Sequence, residues 1–348
     1  MKGRDCVMKK RIFTALLAGL MLFSLVGCSS GGESKDTKEK ENAKIKIGYD
    51  IYYLGNSWSV QQYQEFKWNV ENNYADKVDV TYVESDNDIT KQISNIEDLI
   101  AQDVDVIITT PCDTTALNST LQEAMDEGIK VILLAATIEG DTYDSLITVD
   151  EKEFGAAGAE WLAEQLDGKG KIVMLEGISG YSTSMLRQEG ALSVFENYQD
   201  IEIIADEDAG WDYATAKTVM ADLLATYPDI DGIWSQGGAM TLGAIEAFQA
   251  AGRELVPMTG EDNNGYLKAC VENEMEGIAV AKPTWLTRVA LDTAISLMNG
   301  EEVEKDNIYP VEKFSGLEEM KESYYPELSD DVWCGTELPE DVLKEIFK

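Results

Sequence analysis

The 348-residue chain carries 65 acidic against 28 basic side chains, a formal charge of −37, and no histidine. So acidic an exterior suits neither nucleic acid nor an anionic membrane surface, and reads as a solvated, aggregation-resistant face rather than an ion store. The missing histidine removes Ser-His-Asp and Cys-His nucleophile pairs, the commonest general base and every His-ligated metal site.

The first 28 residues read as an export signal: a basic cluster, Lys9-Lys10-Arg11, an apolar run from Ile12 to Val26, then Gly27-Cys28. That run has 15 residues, fewer than the roughly 18 to 20 a spanning helix needs, so it is a cleaved segment rather than an anchor. The cysteine after a small residue marks a bacterial lipoprotein, with residues 1–27 as signal peptide and Cys28 as the lipidated first residue of a protein held outside the cytoplasmic membrane. Residues 28–43 (CSSGGESKDTKEKENA) then form a flexible tether, too polar to offset the entropy of ordering.

Beyond Lys44 the chain alternates strand and helix. The string IKIGYDIYY from Ile45 is a buried strand, and Val60, Tyr63, Phe66, Lys67, Val70 and Tyr74 recur at helical spacing over 57–74. VDVTYV (78–83), a helix with Ile89, Ile93, Ile96 and Ile100 on one stripe, VDVIITT (104–110), a helix over 114–127 closed by Gly128, and KVILLA (130–135) follow. The rhythm restarts after Asp150: helix 152–167, KIVMLEG (171–177), helix 182–198, IEIIAD (201–206), helix 212–227, DGIWSQ (231–236), helix 239–251, ELVPMTG (254–260), helix 263–274 and GIAVA (277–281). This predicts an α/β protein of two doubly wound, parallel-sheet, Rossmann-like domains, with a ligand cleft where the carboxyl ends of the two sheets face each other.

Three cysteines remain in the mature chain, Cys112, Cys270 and Cys334, an odd number without metal-ligand spacing that allows at most one disulfide. The acidic run DEDAGWD (206–212) has Gly210, Trp211 and Lys217 where an EF-hand needs an acid or amide, a glycine and a glutamate, so no metal and no cofactor is expected.

In order, IGYDIYYLGNSW, DVIITTPCDTTA, EGISG, WSQGGAMTLGAIEAFQAAG, TGEDNNG and GIAVAKPTW are similar to the ribose-type branch of the type I periplasmic binding proteins, the extracytoplasmic receptors of sugar ABC importers. The likeness runs from about Lys44 to about Pro310 and implies two domains joined by a three-segment hinge near 148–150, 282–284 and 309–311. The first domain would then be residues 44–148 plus 283–309, and the second 149–282 plus 310–348, with the chain past Pro310 packed on the second domain through Tyr324, Tyr325, Trp333 and Pro339. The implied ligand-binding residues are Asn56 and Trp58 after the first strand, Thr110 and Asp113 after the third, Arg187 after EGISG, the Trp211-Asp212 pair, Glu261 and Asp262, and Lys282. No catalytic group is among them. Where the family carries an Asp-Arg pair this chain has Ala135-Ala136, a second arginine is Met185, a sugar-contacting asparagine is Gly237, and Glu261 replaces an aromatic.

Read from the residues alone, such a cleft suits sugars: Trp58 and Trp211 offer plates for C–H faces, while Asn56, Asp113, Asp262 and Lys282 offer polar edges, Asp262 foremost. Trp234 and Trp161 fit ordinary core packing, and Trp285, after Pro283, fits either role. The combined reading is a lipid-anchored, monomeric receptor that closes about its hinge on a monosaccharide or polyol and delivers it to an ABC permease. Two alternatives stand beside it: an enzyme on the same architecture, and a receptor for an amine, nucleoside or signal molecule feeding a sensor.

Overall fold

The computed structural model describes residues 43–348; the export signal, Cys28 and nearly all of the tether lie outside the described residues. Among the described residues no helix is long and apolar enough to cross a membrane.

The first lobe is built on β1 (Ile45–Ile51), β2 (Val78–Glu84), β3 (Val106–Thr109), β4 (Lys130–Leu134) and β5 (Ser145–Val149), with α1 (Ser57–Asn73), α2 (Ile89–Ala101) and α3 (Asn118–Asp126) between them. The second holds β6 (Lys169–Glu176), β7 (Asp200–Asp208), β8 (Gly232–Ser235), β9 (Met258–Gly260) and β10 (Gly277–Ala281), with α4 (Glu151–Gln165), α5 (Ser182–Phe195), α6 (Tyr213–Thr226), α7 (Gly238–Ala250) and α8 (Asn264–Glu272). The chain then returns to the first lobe with α9 (Leu286–Met298) and β11 (Asp306–Tyr309), crosses back with β12 (Glu312–Ser315) and α10 (Leu317–Ser323), and ends in α11 (Glu340–Ile346). The two six-stranded sheets run β11-β5-β4-β3-β1-β2 and β12-β10-β9-β8-β6-β7, parallel throughout except for β12 against β10. The lobes are therefore joined by three short crossings, after β5, β10 and β11.

Side-chain alternation explains how each sheet is covered on both faces. In the first lobe Ile132 and Leu134 of β4 join Phe66 of α1 and Leu291 of α9 in one core, whereas Val131 and Leu133 join Ile96, Leu99 and Leu121 from α2 and α3 in the other. In the second, Val173 and Leu175 meet Met220 and Phe248 from α6 and α7, and Ile172 and Met174 meet Leu162 and Ala191 from α4 and α5. Strands buried on both faces read as continuous apolar runs, which is why the sequence shows them so plainly.

Differences from the sequence reading lie where that signal weakens. Strand β5 was not anticipated, since SLITV sits among polar turns, and neither were α9, β11 and β12. The strand expected over 254–260 shrinks to β9 because Pro257 cannot donate to a ladder. The chain past Tyr324, expected on the second lobe, lies on both: Leu328, Val332, Leu338 and Leu343 form a small core with Trp68 of α1, while Asn264 of α8 donates to the carbonyls of Tyr325 and Ser329. The three cysteines are all free.

Helices α4 and α5 touch backbone to backbone. A β-carbon on Gly155 would stand 1.8 Å from the Arg187 carbonyl oxygen, and one on Gly190 2.1 Å from that of Lys152. Rigid backbone cannot yield as a flexible side chain would, so Gly155→Ala must push the helices apart. A loss of about 1 to 3 kcal/mol is expected in urea denaturation, and a variant as stable as the parent would show that this contact is not tight.

Candidate functional site

The carboxyl ends of both sheets face one cavity, open at its mouth, with about 500 Å³ of empty space when the solvent at the mouth is included. Tyr52, Asn56, Trp58, Thr110, Ala135 and Ala136 line it from the first lobe; Tyr181, Thr183, Arg187, Trp211, Gly237, Ala239 and Glu261 from the second; Lys282 from the second crossing and Trp333 from the tail complete it. Contacts across the mouth hold the lobes together: Tyr181 donates to Asn87 Oδ1 at 2.7 Å, the Thr137 amide to Ser182 Oγ at 2.9 Å, and Thr183 Oγ1 to the Ala135 carbonyl at 3.1 Å.

Beneath the cavity lies a buried four-charge cluster. Arg187, 1% exposed, donates Nε to Glu151 Oε2 at 2.7 Å and Nη1 to Glu261 Oε1 at 2.8 Å and to the Gln236 carbonyl, with its guanidinium 3.5 Å from the Phe154 ring centre. Lys282 Nζ lies 2.5 Å from Glu151 Oε1 and donates to the Ala135 carbonyl at 2.6 Å. Two acids and two bases leave the cluster neutral. Burial opposes the Glu151 charge, but Lys282 and Arg187 outweigh it and hold its pKa below the ordinary range. Burial lowers the pKa of Lys282 and raises that of Glu261, whose single strong partner is Arg187.

The walls are aromatic. Tyr181 meets Tyr52 at 5.4 Å and Trp211 edge-on at 6.0 Å, and the Trp58 indole donates to the Lys282 carbonyl at 2.8 Å. Two glycines admit Trp211: a β-carbon on Gly177 would lie 2.2 Å from its ring, and one on Gly237 3.0 Å from Cδ1. Two wall residues without a glycine's freedom take left-handed backbone, Ala135 at φ +66° and Trp211 at φ +53°. The Ala135 turn aims its carbonyl at Lys282 and Thr183, so a backbone oxygen serves as acceptor for both.

Of the ten residues singled out from sequence, the fold gathers Asn56, Trp58, Thr110, Arg187, Trp211, Glu261 and Lys282 around the cavity and leaves three outside it. Asp113 and Asp212 turn their carboxylates onto local backbone, Asp113 accepting from the Thr115 and Ala116 amides at 2.8 Å and Asp212 capping α6 through the Thr215 amide at 2.7 Å. Asp262, wholly buried, faces the tail and accepts from the Gly335 amide at 2.5 Å. Asn56 caps α1 through the Ser59 amide at 2.8 Å, which uses its oxygen and not its amide nitrogen. Trp234 is core, 1% exposed, with its indole donating to the Gly155 carbonyl, and Trp285 packs edge-on against Tyr309.

Sequence reasoning missed Glu151, Tyr52, Tyr181, Thr183 and Trp333. Glu151 looks like an ordinary first-turn acid favoured by the helix dipole, and only its burial betrays it. Tyr52 follows β1, Tyr181 is the N-cap of α5 and Thr183 lies in its first turn, so being next to EGISG or IGYD was the available signal; Trp333 is marked by no nearby motif.

Two buried donors on the cavity lining, Arg187 Nη2 and Trp211 Nε1, have no partner among the described residues. Buried polar atoms are rarely left so, and an acceptor on a ligand would satisfy both.

Asp262 makes a pH test possible. Burial, reinforced by the Glu261 charge, raises its carboxyl from 3.8 to about 7. The folded chain thus holds this proton more tightly than the unfolded one, and the group's contribution to stability is full below the ordinary value and declines as pH rises toward 7. Asp262→Asn cannot titrate, so its Tm should fall less than the parent's between about pH 4 and pH 7; parallel curves of Tm against pH would contradict this.

The family described as "Periplasmic binding protein domain" matches residues 47–302. The ribose import binding protein RbsB of Bacillus subtilis is 25% identical over 299 residues, covering 86% of this chain and 96% of that protein. A xylitol-binding protein of Mycolicibacterium smegmatis is 29% identical over 294 residues, 84% of this chain and 82% of that one. Among solved structures, an ABC transporter solute-binding protein from Bacillus halodurans with bound myo-inositol superposes with a TM-score of 0.75 at 26% identity, covering 81% of this chain and 97% of its own.

Proposed function

The chain belongs to the periplasmic binding protein domain family, whose members are solute-binding proteins rather than enzymes, and from that membership we propose that it captures a neutral sugar or polyol for an ABC importer. The observation that carries this reading is the cavity itself: aromatic walls around charges that already neutralise one another, with two donors left to be met by acceptors. A polyhydroxylated ring or chain presents C–H faces to Tyr52, Trp58, Tyr181 and Trp211 and hydroxyl oxygens to Arg187 Nη2 and Trp211 Nε1. A protonated amine suits the site less, because it has no lone pair to offer those donors and because Glu261, the carboxylate on the cavity, is engaged by Arg187. The ribose and xylitol relatives and the inositol-bound structure support the same solute class.

Transport follows by hinge closure. Ligand contacts made by both lobes favour the closed state, the one a permease would read, and the cross-mouth bonds of Tyr181, Thr183 and Ser182 form only there. The charge-lined tether and Cys28 of the sequence complete the reading as a monomeric lipoprotein held at the outer face of the cell membrane.

A thermal-shift screen of D-ribose, D-allose, xylitol and myo-inositol against amines and nucleosides tests the solute class. A ligand at 100 times its Kd adds about 2.7 kcal/mol, a Tm rise on the order of 5 °C. Stabilisation by amines or nucleosides alone would overturn the sugar reading. For the ligand that scores, Trp211→Phe keeps the ring but loses the donor, and a Kd weaker by about 3- to 30-fold is expected in titration calorimetry. The tether has its own check: Cys28→Ala should leave the precursor unprocessed and without lipid in metabolic acyl labelling, and wild-type protein that takes up no acyl label would refute the anchor.

A further inference from the structure

The tail outside the family match is seated on both lobes. On the second, the amides of Asn264 and Gly265 donate to the Val332 and Asp330 carbonyls at 2.7 and 3.0 Å, and Asp262 receives the Cys334 amide on its carbonyl and the Gly335 amide on its carboxylate. On the first, Gln61 of α1 clamps Trp333 from both sides, its Nε2 donating to the Trp333 carbonyl at 2.8 Å and its Oε1 accepting the Trp333 amide at 2.9 Å. Glu65, one turn on and wholly buried, accepts from Thr336 Oγ1 at 2.6 Å, the Glu337 amide at 2.9 Å and Thr284 Oγ1 of the second crossing at 2.5 Å. Gly335 passes so close to that crossing that a β-carbon on it would sit 3.0 Å from Pro283. Between these two seats the Trp333 indole, 4% exposed, donates to Ser57 Oγ at 3.0 Å and forms part of the cavity wall beside Trp58.

We propose that residues 325–338 form a clasp across the hinge that delivers Trp333 as a wall of the ligand site, making the tail a determinant of affinity and specificity. The wall rests on the cavity being the solute site; the clasp does not. Paired backbone bonds to Gln61 leave the ring little freedom, so it meets a ligand preorganised, and any solute too thick for the gap between Trp333 and the second lobe is refused. The clasp holds α1 and α8 at once, so it spans the two lobes at the hinge.

Full-length protein purified in detergent supplies the test. Calorimetry with whichever of D-ribose, D-allose, xylitol and myo-inositol binds the parent should show Kd weakened tenfold or more in Trp333→Ala and less than threefold in Trp333→Phe, which keeps a ring; unchanged affinity in both overturns the wall. Should Trp333→Ala not fold, Trp333→Leu takes its place with the same expectation. Hydrogen exchange tests the clasp without any ligand: in Gln61→Ala the amides of Trp333, Gly335 and Thr284 should exchange at least tenfold faster, and unchanged exchange overturns the clasp. If none of these four sugars and polyols binds the parent, the solute reading fails, and the exchange result alone decides the clasp.

Discussion

Arg187 is the hub on which the site depends. Its guanidinium joins α4 through Glu151, the end of β9 through Glu261 and the end of β8 through the Gln236 carbonyl, and Glu151 passes the link to Lys282 in the crossing and on to Ala135 of the other lobe. Burying four charges is tolerable only because each has an opposite partner within hydrogen-bond reach, and removing one partner of such a set typically costs about 3 to 5 kcal/mol. The same pairing decides what the cavity can hold. A neutral floor offers a charged solute no net countercharge, whereas a neutral solute needs none, only partners for the hydroxyls it desolvates.

Geometry upstream of the cluster is equally constrained. Arg187 reaches Glu151 because Gly155 and Gly190 let α4 and α5 meet at backbone distance, and Trp211 enters the cavity because Gly177 and Gly237 leave its ring room. Gly237 contributes no side chain of its own, and the Trp211 indole, with its own donor, occupies the space. Ala135 works through its backbone, a left-handed turn presenting its carbonyl oxygen to Lys282 and Thr183.

Much of the fold was legible because doubly buried strands are unbroken apolar runs and their helices carry clean stripes, as in VDVIITT and the Ile89 to Ile100 series. Strand β5 and the elements after Pro283 were not, since they are short and half-polar and are stabilised by partners distant in sequence. Of the candidate site, the side chains where a strand passes into a helix, Asn56, Trp58 and Trp211, were legible as lining the cavity. The acids were not. Asp113, Asp212 and Asp262 looked like ligand acceptors, yet nothing local tells a carboxylate that faces a cavity from one that caps a helix or a loop.

Asp262 shows how that ambiguity resolves. It follows directly on Glu261 just past β9, yet only Glu261 lines the cavity, while Asp262 turns to the tail. Glu261 takes the inward place because Arg187 is there to hold its charge. Asp262, given only the Gly335 amide, the Cys334 thiol and a carboxylate neighbour, keeps its proton toward neutral pH instead. The residue that sequence logic cast as the ligand's main acceptor is thereby a fastening for the tail, holding the Cys334 and Gly335 amides next to Trp333.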